Sequence, residues 1–203
     1  MRKSIFQAGR RYTFSDYFEM GQPTEEILAE FGYSFSLASL DLPLATEIDN
    51  LAIENLRAAY YALIPKVSLN SEIAKRELLV APVLHNIVRN LDAKLHVEYA
   101  IDVDDKLSGS IDYLLRAAHE LIVIEAKKGD LERGFNQLAV EMIALAKYEA
   151  DDTPELLYGA ITIGEVWRFA VLDKAAKSLA KDVSTLTDFP KTWLISSLFS
   201  MVS

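Results

Sequence analysis

The chain has 203 residues, of which 51% are hydrophobic and 25% charged, a balance typical of a globular protein with one core. It contains no cysteine, which excludes disulfide frameworks, zinc–thiolate sites and cysteine nucleophiles, and we expect a cytoplasmic protein. The formal net charge of −9 argues against non-specific coating of nucleic acid, although Lys127, Lys128 and Arg133 could form a local basic strip.

The domain organisation predicted from the sequence is a single domain with two parts. Residues 1–65 form an N-terminal extension packed on a core that spans residues 66–203, which ends in a helical tail. No apolar run has the length of a signal peptide or a membrane span, so neither export nor a membrane partner is expected. The aromatic residues near the start are interpreted as packing against the core rather than as a stacking surface for nucleic acid.

Two helices are predicted within the extension. Pro23 and Thr24 precede the segment EEILAEF and Gly32 follows it, which is the pattern of a short capped helix. A second helix is expected over about residues 47–63, ending before Pro65.

A longer helix is predicted from Ser71, which is a suitable N-cap for EIAKRELLVAPVLHNIVRNL. Pro82 lies in its middle and should kink or split it, because proline lacks the backbone donor and collides with the preceding turn. Apolar residues recur at helical spacing and are expected to face the core: Ile73, Leu78, Leu79, Val83, Leu84, Ile87, Val88 and Leu91.

Beyond this helix the period changes to two, which is typical of strands. Three strands are predicted, LHVEYAIDV, LSGSIDYLLR and LIVIEAK, followed by the helix LERGFNQLAVEMIALAKYEA. Two further strands, LLYGAITIG and VWRFAVLD, flank a turn at Gly164 and Glu165, and residues 174–203 are expected to be helical. The sequence therefore predicts an α/β fold with an α-β-β-β-α-β core, in which a mixed sheet is flanked by helices.

Three residues in the second and third strands form the candidate catalytic site. Asp112 lies on one strand, and Glu125 and Lys127 share one face of the next by alternation. If these strands form a hairpin, Asp112 converges on Glu125, and the two carboxylates with the Ala126 carbonyl would hold Mg²⁺ through oxygen ligands. Lys127 would orient the attacking water or stabilise charge on a phosphate. The alternative is that E-x-K is an ordinary solvated ion pair.

The segments SEIAKRELLVAPVL, SGSIDYLL, IVIEAKK and GFNQL resemble the PD-(D/E)XK superfamily, especially the nuclease domains of type I restriction subunits. The resemblance covers about residues 71–172. It implies a restriction-endonuclease-like fold and Mg²⁺-dependent hydrolysis of phosphodiester bonds, with Mn²⁺ as a substitute ion. The implied activity is that of an endonuclease. The implied partner is nucleic acid, and we expect DNA rather than RNA.

The resemblance also assigns roles to residues outside the hairpin. It maps the catalytic core onto Asp112, Glu125 and Lys127, and it maps the metal-proximal glutamate of the first helix onto Glu72, with Arg76 as its companion. The alternative is that Glu72 and Arg76 form a surface ion pair worth about 0.3 to 0.5 kcal/mol. Glu77 is a rival for the same metal-proximal role.

Gln137 matches a glutamine that related nucleases carry on the helix after the E-x-K strand. The tyrosine expected four residues later is replaced by Glu141, and the proline expected before the first aspartate is replaced by Ile111. Gln137 is therefore either a residue that positions the site or an ordinary polar helix residue.

The three histidines have no ligand spacing and are not expected to bind metal.

A second hypothesis is a catalytically idle relative that acts as a binding or assembly module in a defence or mobile-element system. The acidic balance and the missing tyrosine favour it. A homodimer is the expected assembly for an endonuclease that cuts both strands of a duplex, because one site cuts one strand.

Overall fold

The computed structural model describes residues 4–42, 50–90, 92–117, 129–149 and 154–184 with their side chains, and residues 121–126 as backbone. The helices are α1 (Phe14–Glu19), α2 (Thr24–Glu30), α3 (Asn50–Leu63), α4 (Glu72–Lys75), α5 (Ala81–Asn90) and α6 (Leu131–Tyr148). The strands are β1 (Ser34–Ala38), β2 (Lys94–Asp104), β3 (Leu107–Arg116), β4 (Leu121–Ala126), β5 (Leu156–Thr162), β6 (Trp167–Asp173) and β7 (Ser178–Asp182). A 3₁₀ turn spans Ile64–Lys66, and a π-helical turn spans Arg76–Val80.

The strands within these ranges form one mixed sheet in the order β1-β7-β6-β5-β4-β3-β2. β2, β3 and β4 make an antiparallel meander, and α6 then crosses over to β5, which runs parallel to β4. β5, β6 and β7 are antiparallel neighbours, and β1 pairs in parallel with β7 at the edge. The predicted α/β class with a mixed sheet is confirmed.

Helices cover both faces of the sheet. On one face α6 packs together with α1 and α2, and its residues from Gly134 to Ala146 are all buried. On the other face α3 and α5 pack around Trp167 and Phe169. Each face has its own apolar cluster, so the sheet is a layer between two cores.

The chain before residue 42 supplies both a strand and core side chains. β1 extends the sheet, and Tyr12, Phe14 and Tyr17 are buried in the cluster around α6. The expectation that the early aromatic residues pack against the core is therefore confirmed for these three.

The expected helical tail is wrong for its first part. Residues 178–182 form β7, an edge-proximal strand held by β6 on one side and β1 on the other. Lys177 turns the chain into this strand with a φ of 47°. Residues 185–203 of the expected tail lie outside the described residues.

The helix predicted from Ser71 is split, as the position of Pro82 predicts. Ser71 caps α4 by accepting a hydrogen bond from the Ala74 N–H, and the π-helical turn separates α4 from α5. A π turn contains an extra residue, so it rotates α4 out of phase with α5. Ile73 is consequently 70% exposed, which corrects its prediction as a core residue. Four of the other predicted residues are fully buried, namely Leu79, Val83, Leu84 and Ile87.

Candidate functional site

The predicted hairpin of the two motif strands is present. β3 and β4 are antiparallel, with Tyr113 opposite Ile124 and Leu114 opposite Val123. Continuing this register by one residue places Asp112 opposite Glu125 in the backbone. On its other side, β4 pairs Glu125 with Ile161 and Ala126 with Thr162 of β5.

Asp112 lies beside a partly buried arginine. Its Oδ1 accepts a hydrogen bond of 3.1 Å from Nη1 of Arg76, the first residue of the π-helical turn, and the two side chains are 13% and 15% exposed. The Arg76 guanidinium also lies over the Tyr113 ring, 5.4 Å from its centre. Burial lowers the pKa of Arg76, but the hydrogen bond to Glu98 and the charge of Asp112 raise it above its ordinary value overall. A permanent cation therefore adjoins the first motif carboxylate.

Glu98 is a site residue that the sequence analysis did not identify. It lies between the pairs Val97–Tyr113 and Tyr99–Ile111, and hence across from Asp112. Its φ of 53° is left-handed, and its Oε1 accepts a hydrogen bond of 2.7 Å from Nη2 of Arg76. The alternating pattern of LHVEYAIDV gives no sign of this irregular backbone.

The alternation of side chains along the β2–β3 ribbon is interrupted at Glu98, and the residues before and after it pack on opposite faces of the sheet. Leu95 and Tyr113 pack in the cluster around α5, whereas Ile101 and Ile111 pack in the cluster around α6. Under strict alternation Leu95 and Ile101 would lie on the same face of the sheet, and Ile111 and Tyr113 would also share one face. Glu98 and Asp112 lie where the ribbon changes faces, at a bend rather than within a flat sheet.

Glu72 lies in the first turn of α4, directly after its N-cap. Among the described residues Arg76 pairs with Glu98 and Asp112, and no ion pair joins it to Glu72. The alternative of a Glu72–Arg76 surface ion pair is therefore wrong. The link between the two is in the backbone, where the Arg76 N–H donates to the Glu72 carbonyl. The metal-proximal role of Glu72 stays a prediction, and its rival Glu77 is exposed.

Gln137 lies in the core. Its side chain is 4% exposed, and its Nε2 donates a hydrogen bond of 2.9 Å to Oε1 of Glu141, which is fully buried. The pair lies on α6, the helix that packs against β4 and β5. Glu141, which stands where the tyrosine was expected, is thus a second buried polar group of this helix.

The remaining predicted site groups are described only in part. Lys127 and Lys128 lie outside the described residues, and Glu125 and Ala126 are described as backbone. Among the described side chains, no group of three histidine or acidic residues is placed to hold a metal ion. His85 and His96 belong to those side chains, whereas His119 lies outside them. Arg133, the third residue of the expected basic strip, is half exposed beside Asp130, 3.5 Å away.

A cavity of about 650 Å³ opens beside the first turn of α6. Glu132 there accepts hydrogen bonds from Arg168 and, at 2.6 Å, from Lys181, and these bonds tie α6 to β6 and β7. The three cations of its lining, Arg133, Arg168 and Lys181, are matched by three acids, Glu25, Glu132 and Asp182. The cavity has no excess positive charge and is not an evident anion site.

Comparison of the chain with protein-family models, with curated proteins and with solved structures found no match. The resemblance to the PD-(D/E)XK superfamily therefore depends on the sequence motifs quoted above. None of the helices within the described ranges is long and apolar enough to cross a membrane.

Proposed function

We propose that this chain is a nuclease of the PD-(D/E)XK type, which hydrolyses phosphodiester bonds in DNA endonucleolytically with Mg²⁺. The observation that carries the proposal is the β3–β4 hairpin, in which Tyr113 pairs with Ile124, so that Asp112 and Glu125 are the next residues along the two strands. The succession of α5, β2, β3, β4, α6 and β5 also agrees with the core that the resemblance implies.

The donors in this hairpin suit Mg²⁺, a hard ion that prefers oxygen ligands. We propose that Asp112, Glu125 and the Ala126 carbonyl hold the ion, with Glu72 as a further acidic group from α4. When bound, the ion would polarise the phosphodiester and lower the pKa of a bound water. Asp112 is partly buried, and Arg76 supplies the cation that such a carboxylate needs beside it.

The chain's own cations would complete the site. Lys127 follows Glu125 by two residues in the sequence, and we propose that it would orient the water or stabilise the charge on the phosphate. Gln137 would support the site from α6. Arg76, which already donates a hydrogen bond to Asp112, adds a further positive charge beside the first motif carboxylate.

A direct test is cleavage of linear, nicked, branched and single-stranded DNA, and of RNA, with Mg²⁺ or Mn²⁺. Asp112→Asn, Glu125→Gln and Lys127→Ala should each lose about 100-fold or more in rate. Asp105→Asn, the same chemical change in the exposed β2–β3 turn, is the matched control and should cleave like the wild type. Absence of cleavage by the wild type, or equal cleavage by wild type and Asp112→Asn, would contradict the proposal.

The second candidate is the catalytically idle binding module. The specific observation in its favour is that the Asp112 carboxylate is already engaged by Arg76, so the site has an internal cation. Calorimetry with Mn²⁺ separates the two candidates, because an idle module binds DNA or protein without metal and is unaffected by Asp112→Asn.

The homodimer proposed for duplex cutting is checked by sedimentation with and without a DNA duplex.

A further inference from the structure

Glu98 has a backbone conformation that is costly for its residue type. Its φ of 53° lies in the left-handed region, which residues other than glycine, asparagine and aspartate seldom adopt. Among the described non-glycine residues Lys177 shares this feature, and Lys177 lies in a turn. Glu98 instead lies inside the longest strand of the described sheet, across from Asp112. Strain of this kind concentrates at functional sites.

The strained backbone lets Glu98 and Asp112 share one guanidinium. Nη2 of Arg76 is 2.7 Å from Glu98 Oε1, while Nη1 is 3.1 Å from Asp112 Oδ1. The Glu98 side chain is 56% exposed, and an ion pair with such an exposed partner adds little to the stability of a fold. Stability therefore does not explain why the strand keeps a strained glutamate here.

We propose that Glu98 is a positioning residue that sets the affinity of the Asp112 site for a divalent cation by holding Arg76; this inference rests on the proposed function. With one nitrogen on Glu98, Arg76 contacts Asp112 through the other. Without Glu98, both nitrogens are available to Asp112, and arginine forms its strongest carboxylate pairs in that two-pronged geometry. A two-pronged pair competes with Mg²⁺ for the carboxylate, so loss of Glu98 weakens metal binding through Arg76.

Calorimetric titration of the full chain with Mn²⁺ tests this inference without any cleavage assay. Glu98→Gly removes the carboxylate and relieves the strained φ, so it should raise or preserve the melting temperature while lowering Mn²⁺ affinity about fivefold or more. Glu98→Gln, which keeps an uncharged acceptor for Arg76, should lower the affinity less than Glu98→Gly. In an Arg76→Met background, Glu98→Gly should change the affinity by less than about twofold.

Lys177→Gly is the matched control, because it relieves the other left-handed backbone and should leave Mn²⁺ affinity unchanged. If Glu98→Gly binds Mn²⁺ with wild-type affinity while Asp112→Asn loses Mn²⁺ binding, the inference is overturned and the nuclease proposal stands. An equal loss from Glu98→Gly with and without Arg76 overturns it too, since Glu98 would then act on the metal directly. A wild type that binds no Mn²⁺ overturns both proposals.

Discussion

Gln137 and Glu141 form a hydrogen bond of 2.9 Å between successive turns of α6, and both side chains are enclosed by the core rather than exposed at its surface. Neighbouring positions of this helix are apolar, from Leu138 to Val140 and from Met142 to Ala146. A polar pair in such surroundings is costly to break, because a buried group that loses its partner is not rehydrated.

Gln137→Met should therefore destabilise the protein. The side chain keeps its length but no longer donates to Glu141 Oε1, and we expect a loss of about 1–3 kcal/mol in the free energy of unfolding. Urea denaturation followed by circular dichroism measures it. Gln22→Met, at a half-buried position outside the helices, is the control; an equally small loss in both variants would show that the buried hydrogen bond adds nothing.

Gly159→Ala should destabilise the contact between β5 and α6. A Cβ at this position would collide with Met142 Sδ and lie 3.0 Å from its Cε and 3.3 Å from Leu138 Cδ1. We expect a loss of about 1–3 kcal/mol. Gly21→Ala, where a Cβ meets nothing within 4 Å, is the matched control. The loss should shrink in a Met142→Ala background, and an undiminished loss would mean that the collision is not its cause.

The rotation of α4 by the π-helical turn is tested by two substitutions, one in α4 before the turn and one within the turn. Leu79→Ala should cost about 2–5 kcal/mol, since Leu79 is fully buried. Ile73→Ser should change the stability by no more than about 0.5 kcal/mol, because Ile73 is exposed. Thermal melts of both variants suffice, and a large loss from Ile73→Ser would mean that Ile73 faces the core, as the sequence predicted.

Glu132 should make the stability depend on pH in the acid range. Burial raises its pKa, but the hydrogen bonds and charges of Lys181 and Arg168 outweigh this and hold the pKa below its ordinary value of 4.5. A lowered folded-state pKa contributes stability that is present above pH 4.5 and is lost as the pH falls through the folded-state value.

Denaturation midpoints measured from pH 3 to pH 6 should therefore show that Glu132→Gln is less stable than the wild type at pH 6, with the gap closing toward pH 3. The effect should be modest, as the Glu132 side chain is 67% exposed. The exposed Glu19→Gln is the control. Parallel pH profiles for wild type and Glu132→Gln would show that the two cations do not stabilise this carboxylate.

The strands that carry the motifs were predictable because their periodicity is local. β3 has the predicted bounds, and the β3–β4 hairpin follows from two apolar strands that are adjacent in the sequence. Pro82 likewise predicted the break in the helix from Ser71, because the missing donor is a property of that residue alone.

The edge of the sheet was not predictable in the same way. The segment SLAKD of β7 contains alanine, lysine and aspartate, which are uncommon in strands, and its conformation depends on pairing with β6 and β1. The contact between Arg76 and Glu98 was equally hidden. It depends on how the π-helical turn orients Arg76 and on the left-handed backbone of Glu98. Neither feature alters the apolar pattern of the sequence.

The parallel pairing of β1 with β7 links the order of synthesis to the completion of the sheet. Ser34 pairs with Ser178, so β1 is made early but gains its neighbouring strand only when nearly all of the described chain has been synthesised. Pairings across such long stretches form slowly, because the entropy of closing the loop is lost before the contact is gained. During translation the segment of β1, which bears Phe35 and Leu37, therefore lacks this neighbour until β7 has been made.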